Sequence, residues 1–314
     1  LTSAIDPSLP AALPLNDGGA VVTVGTFDGV HLGHREVLGE IVARARKAGR
    51  RSVLATFHPH PLRIVRPEFA PPLLTTPAEK KVLLAESGLD YAVFISFTPA
   101  LQQYPARRFV EEILIGRLGM RELVIGYDHG FGRDREGGAE TLRELGAEIG
   151  FNVEVVGPVD EGDKAISSSR IRKALQAGEV AEAARGLGRP YSLHGPVVHG
   201  SHRGRLLGFP TANIAIGDPD KLLPLEGIYA VRAVVGGSHL PGLLHLGPRP
   251  TFQGEPPSIE LHLLDWDGDL YGRDLRIDFH ARLRGIVTFA SPDELVARMH
   301  RDAEEGRAAL SSPI

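Results

Sequence analysis

The chain has no cysteine. That excludes disulfides, thiolate zinc sites and cysteine nucleophiles, and it fits a cytoplasmic protein. No apolar run reaches the roughly eighteen residues that a membrane span needs, so no membrane association is expected. The first seventeen residues hold no Lys or Arg, so the basic start of a secretory signal is missing. Positive charge is not in excess: 35 Lys and Arg stand against 39 Asp and Glu, a formal net charge of -4. A broad basic face for nucleic acid is therefore not expected, and only a local basic pocket fits. No G-x-x-x-x-G-K sequence occurs, which excludes a P-loop. There is no internal repeat and no low-complexity tract.

What is present is ordinary for a globular protein: 42% hydrophobic and 24% charged residues. The 314 residues exceed what one core usually holds, so two domains are expected. Oligomeric state is left open, with a homo-oligomer compatible.

The most informative stretch is VVTVGTFDGVHLGH, Val21 to His34. Val21 to Val24 reads as a buried strand that enters a glycine turn at Gly25. Beyond the turn His31 and His34 open a helix that ends near Gly49, with Val37, Ile41 and Ala45 on its apolar face. A strand, a glycine turn and a helix start make an anion site, because backbone N–H groups and the helix dipole point at the turn. Arg51 to Phe57 is the next strand, and this order implies a right-handed parallel crossover. HPHPLRIVRP reads as a proline-rich loop at that strand's carboxyl end. Further elements are a Thr-capped helix from Thr76 to Gly88, a strand from Tyr91 to Phe97 and a helix from Pro105 to Leu118. On that last helix Phe109, Ile113 and Arg117 share a face. A strand from Glu122 to Ile125 opens into the Gly/Arg loop GYDHGFGRDREGG. A helix from Thr141 to Gly150 and a strand from Asn152 to Val156 complete an α/β, doubly wound parallel sheet.

ISSSRIRKALQAG then reads as a serine-capped helix ending at Gly178, and Val180 to Leu187 as another. From Tyr191 the strands are short and punctuated by Gly and Pro, which predicts a small antiparallel barrel. The closing helix carries a capping box at Ser291, Pro292 and Glu294, and puts Leu295, Met299 and Ala303 on one face.

Without a P-loop, the first domain suits nucleotidyl transfer, in which a phosphate attacks the α-phosphorus of a nucleoside triphosphate. That reaction needs in-line placement and donors on the phosphorane oxygens, not a protein nucleophile. His31 and His34 can supply donors, and Arg172 with Arg170 can reach the β,γ-phosphates. Taken alone, His-x-x-His is more often a surface pair, and zinc lacks a third ligand at a matching spacing. In the second domain the focus is GRLLGFPTANI. Thr211 and Asn213, two residues apart in extended chain, present hard oxygens on one side, suited to Mg²⁺ on nucleotide phosphates. Gly200 and Gly204 bracket a turn that lets backbone N–H groups approach phosphate. Taken alone, PTAN reads more simply as a strand entering a proline turn. Glu260 and His262 share the polar face of SIELHLL. Glu260 is a general-base candidate if that face lines a pocket, and a solvated carboxylate otherwise.

GTFDGVHLGH and ISSSRIR together resemble the two signatures of the nucleotidylyltransferase superfamily. With FHPHP and GYDHGFGRDREGG, they resemble the FAD synthetase (FMN adenylyltransferase) module of the prokaryotic bifunctional riboflavin kinase/FAD synthetase family. GRPYSLHGPVVHGSHRGRLLGFPTANI, LEGIYAV, GPRPTF, IELHLLDW and LYG resemble that family's riboflavin kinase domain. The resemblance implies an adenylyltransferase domain over 1–187. It implies a riboflavin kinase domain over 188–314, a six-stranded barrel with a C-terminal helix. It implies Mg²⁺ and ATP, with riboflavin, FMN and FAD as substrates or products. In the first domain His31 and His34 would contact ATP phosphates, while Gly25, Phe27 and Gly33 shape the nucleotide pocket. Asp128 would sit in the third loop, and Ser167, Ser168, Arg170 and Arg172 would clamp the triphosphate. In the second, Thr211 and Asn213, in the motif begun by Pro210, would bind Mg–ATP, and Glu260 would deprotonate the ribityl 5′-hydroxyl. His129 stands where many members have Phe, Ser169 where they have Thr, and HLGPRPTF lacks the Asn frequent before its Gly. The change at His129 leaves one alternative, a riboflavin kinase with an impaired first domain; a second, of another class, is a non-catalytic flavin or nucleotide sensor.

Overall fold

The computed structural model describes residues 10–14, 16–127, 130, 137–161, 164–200, 208–248 and 258–311. The chain forms two compact units, Leu1–Ile166 and Ser167–Ile314.

The first unit is built on a five-stranded sheet of order β3-β2-β1-β4-β5, parallel throughout. Its strands are β1 (Ala20–Val24), β2 (Arg51–His58), β3 (Tyr91–Ser96), β4 (Met120–Gly126) and β5 (Asn152–Val156). β1 is buried along its whole length, which is why it reads as an unbroken apolar run. Ala20, Val22 and Val24 join one core with Phe109, Ile113 and Leu142. Val21 joins the core on the opposite face with Leu38, Ile41 and Leu84. The sheet is thus doubly wound, as its alternating pattern predicts. The chain runs outward from β1 through β2 to β3, then returns to add β4 and β5 on the other side. That reversal makes a switch point at the carboxyl ends of β1 and β4, where open α/β sheets take ligands. The Gly25 turn leaves β1 at that point.

Helix α1 (Leu32–Ala48) buries Val37, Leu38, Ile41 and Ala45 and ends at Gly49, whose φ of 64° needs glycine. Two departures from the sequence reading have clear causes. HPHPLRIVRP is not all loop: it holds helix α2 (Pro61–Val65), and its last residue starts a 3₁₀ turn (Pro67–Phe69). Pro61 occupies the first helical position, where its missing N–H costs nothing, and the His60 ring caps Leu62 N at 3.2 Å. Helix α3 (Pro77–Ala85) has the expected capping box between Thr76 and Glu79. After it, α4 (Pro99–Gln102) adds a short turn beyond the sequence expectation. The second departure is in α5, which starts as Ala106–Arg108 and widens into a π-helical stretch, Phe109–Ile115. Bonds spaced by five residues, such as Leu118 N to Ile113 O at 3.1 Å, shift the buried face by one position. Leu118 therefore continues the face of Phe109 and Ile113, not Arg117. Helix α6 (Ala139–Ile149) and the short strands β6 (Asp160–Glu161) and β7 (Lys164–Ala165) complete the unit.

The second unit opens with helices α7 (Ser168–Ala177) and α8 (Val180–Leu187), both ended by left-handed glycines. Six antiparallel strands close into a barrel of order β10-β11-β12-β9-β8-β13. They are β8 (Tyr191–Val198), β9 (Ala212–Ile214), β10 (Gly227–Val235), β11 (Ser238–Gly247), β12 (Ser258–Leu263) and β13 (Asp274–Arg284). Inward residues such as Leu193, Tyr229, Leu244, Leu261, Ile277 and Phe279 fill its interior. Helix α9 (Pro292–Ser311) packs on β10, β11 and β13. Its cap is a variant of the expected box: Ser291 Oγ accepts from Glu294 N, but the Glu294 carboxylate reaches Ala290 N at 3.2 Å. Its buried residues are Asp302, Gly306 and Leu310, beside half-buried Leu295, Met299 and Ala303.

Candidate active sites

In the first unit, five predicted residues come together just beyond β1. Gly25 N bonds Ala55 O at 3.1 Å, holding the turn to β2. The Phe27 ring lies against Gly25; a Cβ there would be 2.9 Å from Phe27 Cε2. That contact explains the glycine, which has no side chain to displace the ring. Phe27 then packs on His34 with ring centroids 4.6 Å apart, and His34 stacks on His31 at 3.6 Å, nearly parallel. A Cβ on Gly33 would sit 3.3 Å from the His31 ring, so glycine keeps that ring's flank open.

His31 is the N-cap of α1: its Nδ1 accepts from His34 N at 3.2 Å. With Nδ1 occupied as an acceptor, the neutral ring carries its proton on Nε2, which becomes the donor. The helix start therefore offers backbone N–H groups and an oriented imidazole N–H together, a fitting set for phosphate oxygens. Asp128, His129 and the Arg-rich part of the following loop lie outside the described residues.

Ile166 of ISSSRIR ends the first unit, and Ser167 to Arg172 open the second. Ser167 caps α7 by accepting from Arg170 N at 3.3 Å, and Ser168 is the first helical residue. The Arg170 guanidinium pairs with Glu182 of α8 at 3.1 Å, so it also ties the two helices together. Arg172 is buried.

The barrel brings Glu260, Thr211, Asn213 and Gly200 together. Glu260 is mid-strand in β12, opposite Asn213 of β9 on one side and His245 of β11 on the other. Thr211 Oγ1 donates to Glu260 Oε2 at 3.1 Å, and Ser258 Oγ donates to Oε1 at 2.9 Å. The carboxylate is thus fixed through both oxygens. Asn213 lies on the Cα of Gly200, where a Cβ would be 1.9 Å from its Nδ2. The Thr211 proton goes to Glu260, so the hydroxyl lone pairs stay available. With the Asn213 amide oxygen they form a hard oxygen pair, a donor set that fits Mg²⁺ carried on nucleotide phosphates. No cluster of three His, Asp or Glu side chains suited to a metal occurs among the described residues. Pro210 is held by its carbonyl, 2.8 Å from His262 Nδ1, and Phe209 packs between the rings of His262 and His300 at 5.1 and 5.0 Å. Gly204 lies outside the described residues.

Sequence reasoning missed Ser258, His245 and the Phe209–His300 contact. Ser258 was accessible, since it precedes Glu260 by two in a strand. His245 was not, because strand register has no local signal.

No helix among the described residues is long and apolar enough to cross a membrane. The FAD synthetase family model matches residues 13–170, and the riboflavin kinase family model matches residues 187–310. The bifunctional riboflavin kinase/FMN adenylyltransferase of Escherichia coli (strain K12) is 38% identical over 285 residues, 90% of each chain. That of Pseudomonas fluorescens is 38% identical over 94% of each chain, and that of Bacillus subtilis (strain 168) 36% identical over 91% of each. Among solved structures, a chain from Streptococcus pneumoniae described as a macrolide-efflux protein superposes with a TM-score of 0.83 at 32% identity. That superposition covers 92% of this chain and 94% of the other. With both of its modules matched in order along one chain, the protein belongs to the bifunctional riboflavin kinase/FMN adenylyltransferase family.

Proposed function

We propose that the chain makes FAD in two ATP-dependent steps, divided between residues 188–314 and 1–187. The barrel domain is the riboflavin kinase. Glu260 takes the proton of the ribityl 5′-hydroxyl, the freed oxygen attacks the γ-phosphorus of ATP, and ADP leaves. The parallel-sheet domain is the FMN adenylyltransferase. A phosphate oxygen of FMN attacks the α-phosphorus of a second ATP, and pyrophosphate leaves. His31 Nε2–H and the α1 N-terminus bind the phosphates there; Ser167, Ser168, Arg170 and Arg172 are the triphosphate ligands that the ISSSRIR motif implies. Mg²⁺, when bound, neutralises developing charge on the transferred phosphate, and Thr211 and Asn213 hold it in the kinase.

The observation that carries this reading is the carboxylate of Glu260, oriented by two hydroxyls beside an oxygen pair, in a chain that also holds the capped His31–His34 turn. The test is direct: incubate the protein with riboflavin, ATP and Mg²⁺ and separate the flavins. FMN and FAD are both expected. FMN alone would mean an idle first domain, and no product would mean a sensor.

A second expectation concerns Gly200. Its Cα supports Asn213, so Gly200→Ala must push that amide away. Riboflavin phosphorylation is expected to fall about tenfold or more, since small misplacements near reacting groups are costly. Steady-state kinetics with varied Mg–ATP should show it, while FMN-to-FAD conversion stays unchanged.

A further inference from the structure

We infer that Lys80, which lies outside both signature motifs, is a positioning residue for adenylyl transfer, fixing the turn that carries Phe27 and His31. The inference rests on the reading of His31 and His34 as phosphate ligands.

The turn between β1 and α1 is unusual. Phe27 has φ 47° and Val30 has φ 39°, left-handed values that side-chain-bearing residues rarely adopt. Two such residues flanking Asp28 and Gly29 persist only where the surroundings over-determine them. The structure shows how they are held. The Lys80 ammonium, buried on α3, donates to Thr26 O at 2.7 Å. Thr56 Oγ1 of β2 donates to the same carbonyl at 3.0 Å. Two residues on, the buried Asp28 carboxylate accepts from Leu74 N at 2.9 Å and Thr75 N at 3.0 Å, and bonds Thr75 Oγ1 at 3.1 Å. Thr75 Oγ1 in turn accepts from Gly29 N at 3.1 Å. Burial pushes the Lys80 pKa below its ordinary value, and the Asp28 charge opposes that shift.

These contacts pin Thr26, Asp28 and Gly29 from β2, from α3 and from the segment leading into it. Phe27 lies between the pinned positions, and its ring continues the stack through His34 to His31. Thr26 O and Phe27 N belong to the same planar peptide group, so a shift of that carbonyl turns the Phe27 backbone and moves the stack. Lys80 touches neither His31 nor His34 by any of these bonds, so its effect on chemistry runs through the turn.

The experiment uses full-length Lys80→Met, Thr56→Val and the double variant, with His31→Ala as reference. FMN-to-FAD turnover is measured at varied ATP, riboflavin phosphorylation in the same preparations, and thermal unfolding alongside. For Lys80→Met the adenylyltransferase kcat is expected to fall about 10- to 100-fold, the loss that a misplacement near 1 Å brings. KM for ATP should stay within about threefold and kinase turnover should not change. Thr56→Val should fall in the same direction, and the double variant should be less than multiplicative, because both donors hold one carbonyl. Should Lys80→Met fail to fold, Thr56→Val and Thr75→Val carry the same test. A kcat within twofold of the parent, with only the melting temperature lowered, would overturn the proposal by making Lys80 purely structural. A raised KM with unchanged kcat would overturn it by making Lys80 a binding group. If His31→Ala keeps full adenylyl transfer, the underlying reading fails and the proposal with it. If His31→Ala is inactive and the Lys80 and Thr56 variants are not, only the proposal fails.

Discussion

Replacing Glu260 by glutamine is expected to stop FMN formation by roughly 10²–10⁴-fold, the span typical of a lost general base. Added FMN should still be converted to FAD by the same preparation. The substitution keeps the volume of the side chain. It also keeps hydrogen bonding to Thr211 and Ser258, whose hydroxyls rotate to accept from an amide as readily as they donate to a carboxylate. What it removes is the proton acceptor. The Asn213 amide and the Ser258 hydroxyl cannot replace it, since neither is a base at neutral pH; His245, opposite Glu260 on β11, carries an imidazole that could, and Glu260→Gln combined with His245→Gln tests that route. The measurement is initial-rate phosphorylation of riboflavin at saturating Mg–ATP, with binding of riboflavin followed separately by its fluorescence. Retained binding with lost turnover fits the base. More than about a tenth of parental turnover would remove Glu260 from that role, because the lowest typical contribution is about 10². Loss of both activities would mean that the two reactions do not use independent residues.

The first half of the fold was legible because its physics is local. Val21 to Val24 is buried on both faces and so reads as an apolar run. Gly49, Gly150 and Gly178 mark helix ends because only a residue without Cβ takes those left-handed angles freely. The capping box at Thr76 is likewise written in adjacent residues. The cluster of Gly25, Phe27, Gly33, His31 and His34 was legible as a motif, but its three-ring stack and the capping role of His31 arise only from the folded turn. Prolines misled in HPHP, because Pro61 starts a helix as readily as prolines end one. Strand register was out of reach: nothing near His245 or Asn213 says that both flank Glu260. Buried polar groups were the other gap. Lys80 and Asp28 look like solvated residues at the edge of a helix and a turn, and only the long-range bonds to Thr26 and Thr75 show otherwise.

Asp302 is the same kind of residue, and it leads to the largest expected effect on stability. Periodicity placed Leu295, Met299 and Ala303 on the packed face of α9, yet the most buried side chain near them is a carboxylate with about 3% of its side chain exposed. It is retained because two cations meet it. Arg284 of β13 makes a forked contact, Nε at 2.9 Å to Oδ1 and Nη2 at 2.7 Å to Oδ2. Arg298, one helical turn earlier, reaches Oδ1 at 2.8 Å. Their side chains are only 15% and 21% exposed, so neither can fully recover water if the carboxylate goes. Asp302→Ala is therefore expected to cost about 3–5 kcal/mol, the usual result of breaking one side of a buried pair. For a unit of this size that is a fall of about 10 °C in melting temperature. The loss of kinase activity on heating should track it, while kinetic constants well below the transition change little, since the pair lies in the helix–barrel packing and outside the Glu260 cluster. Removing both charges is the sharper arm. Asp302→Leu combined with Arg284→Met should be more stable than Asp302→Ala, because it leaves one partly exposed cation, Arg298, where the single variant leaves two. An Asp302→Ala protein that melts within about 1 °C of the parent would mean that water reaches both arginines and that the pair holds the helix to the barrel only weakly.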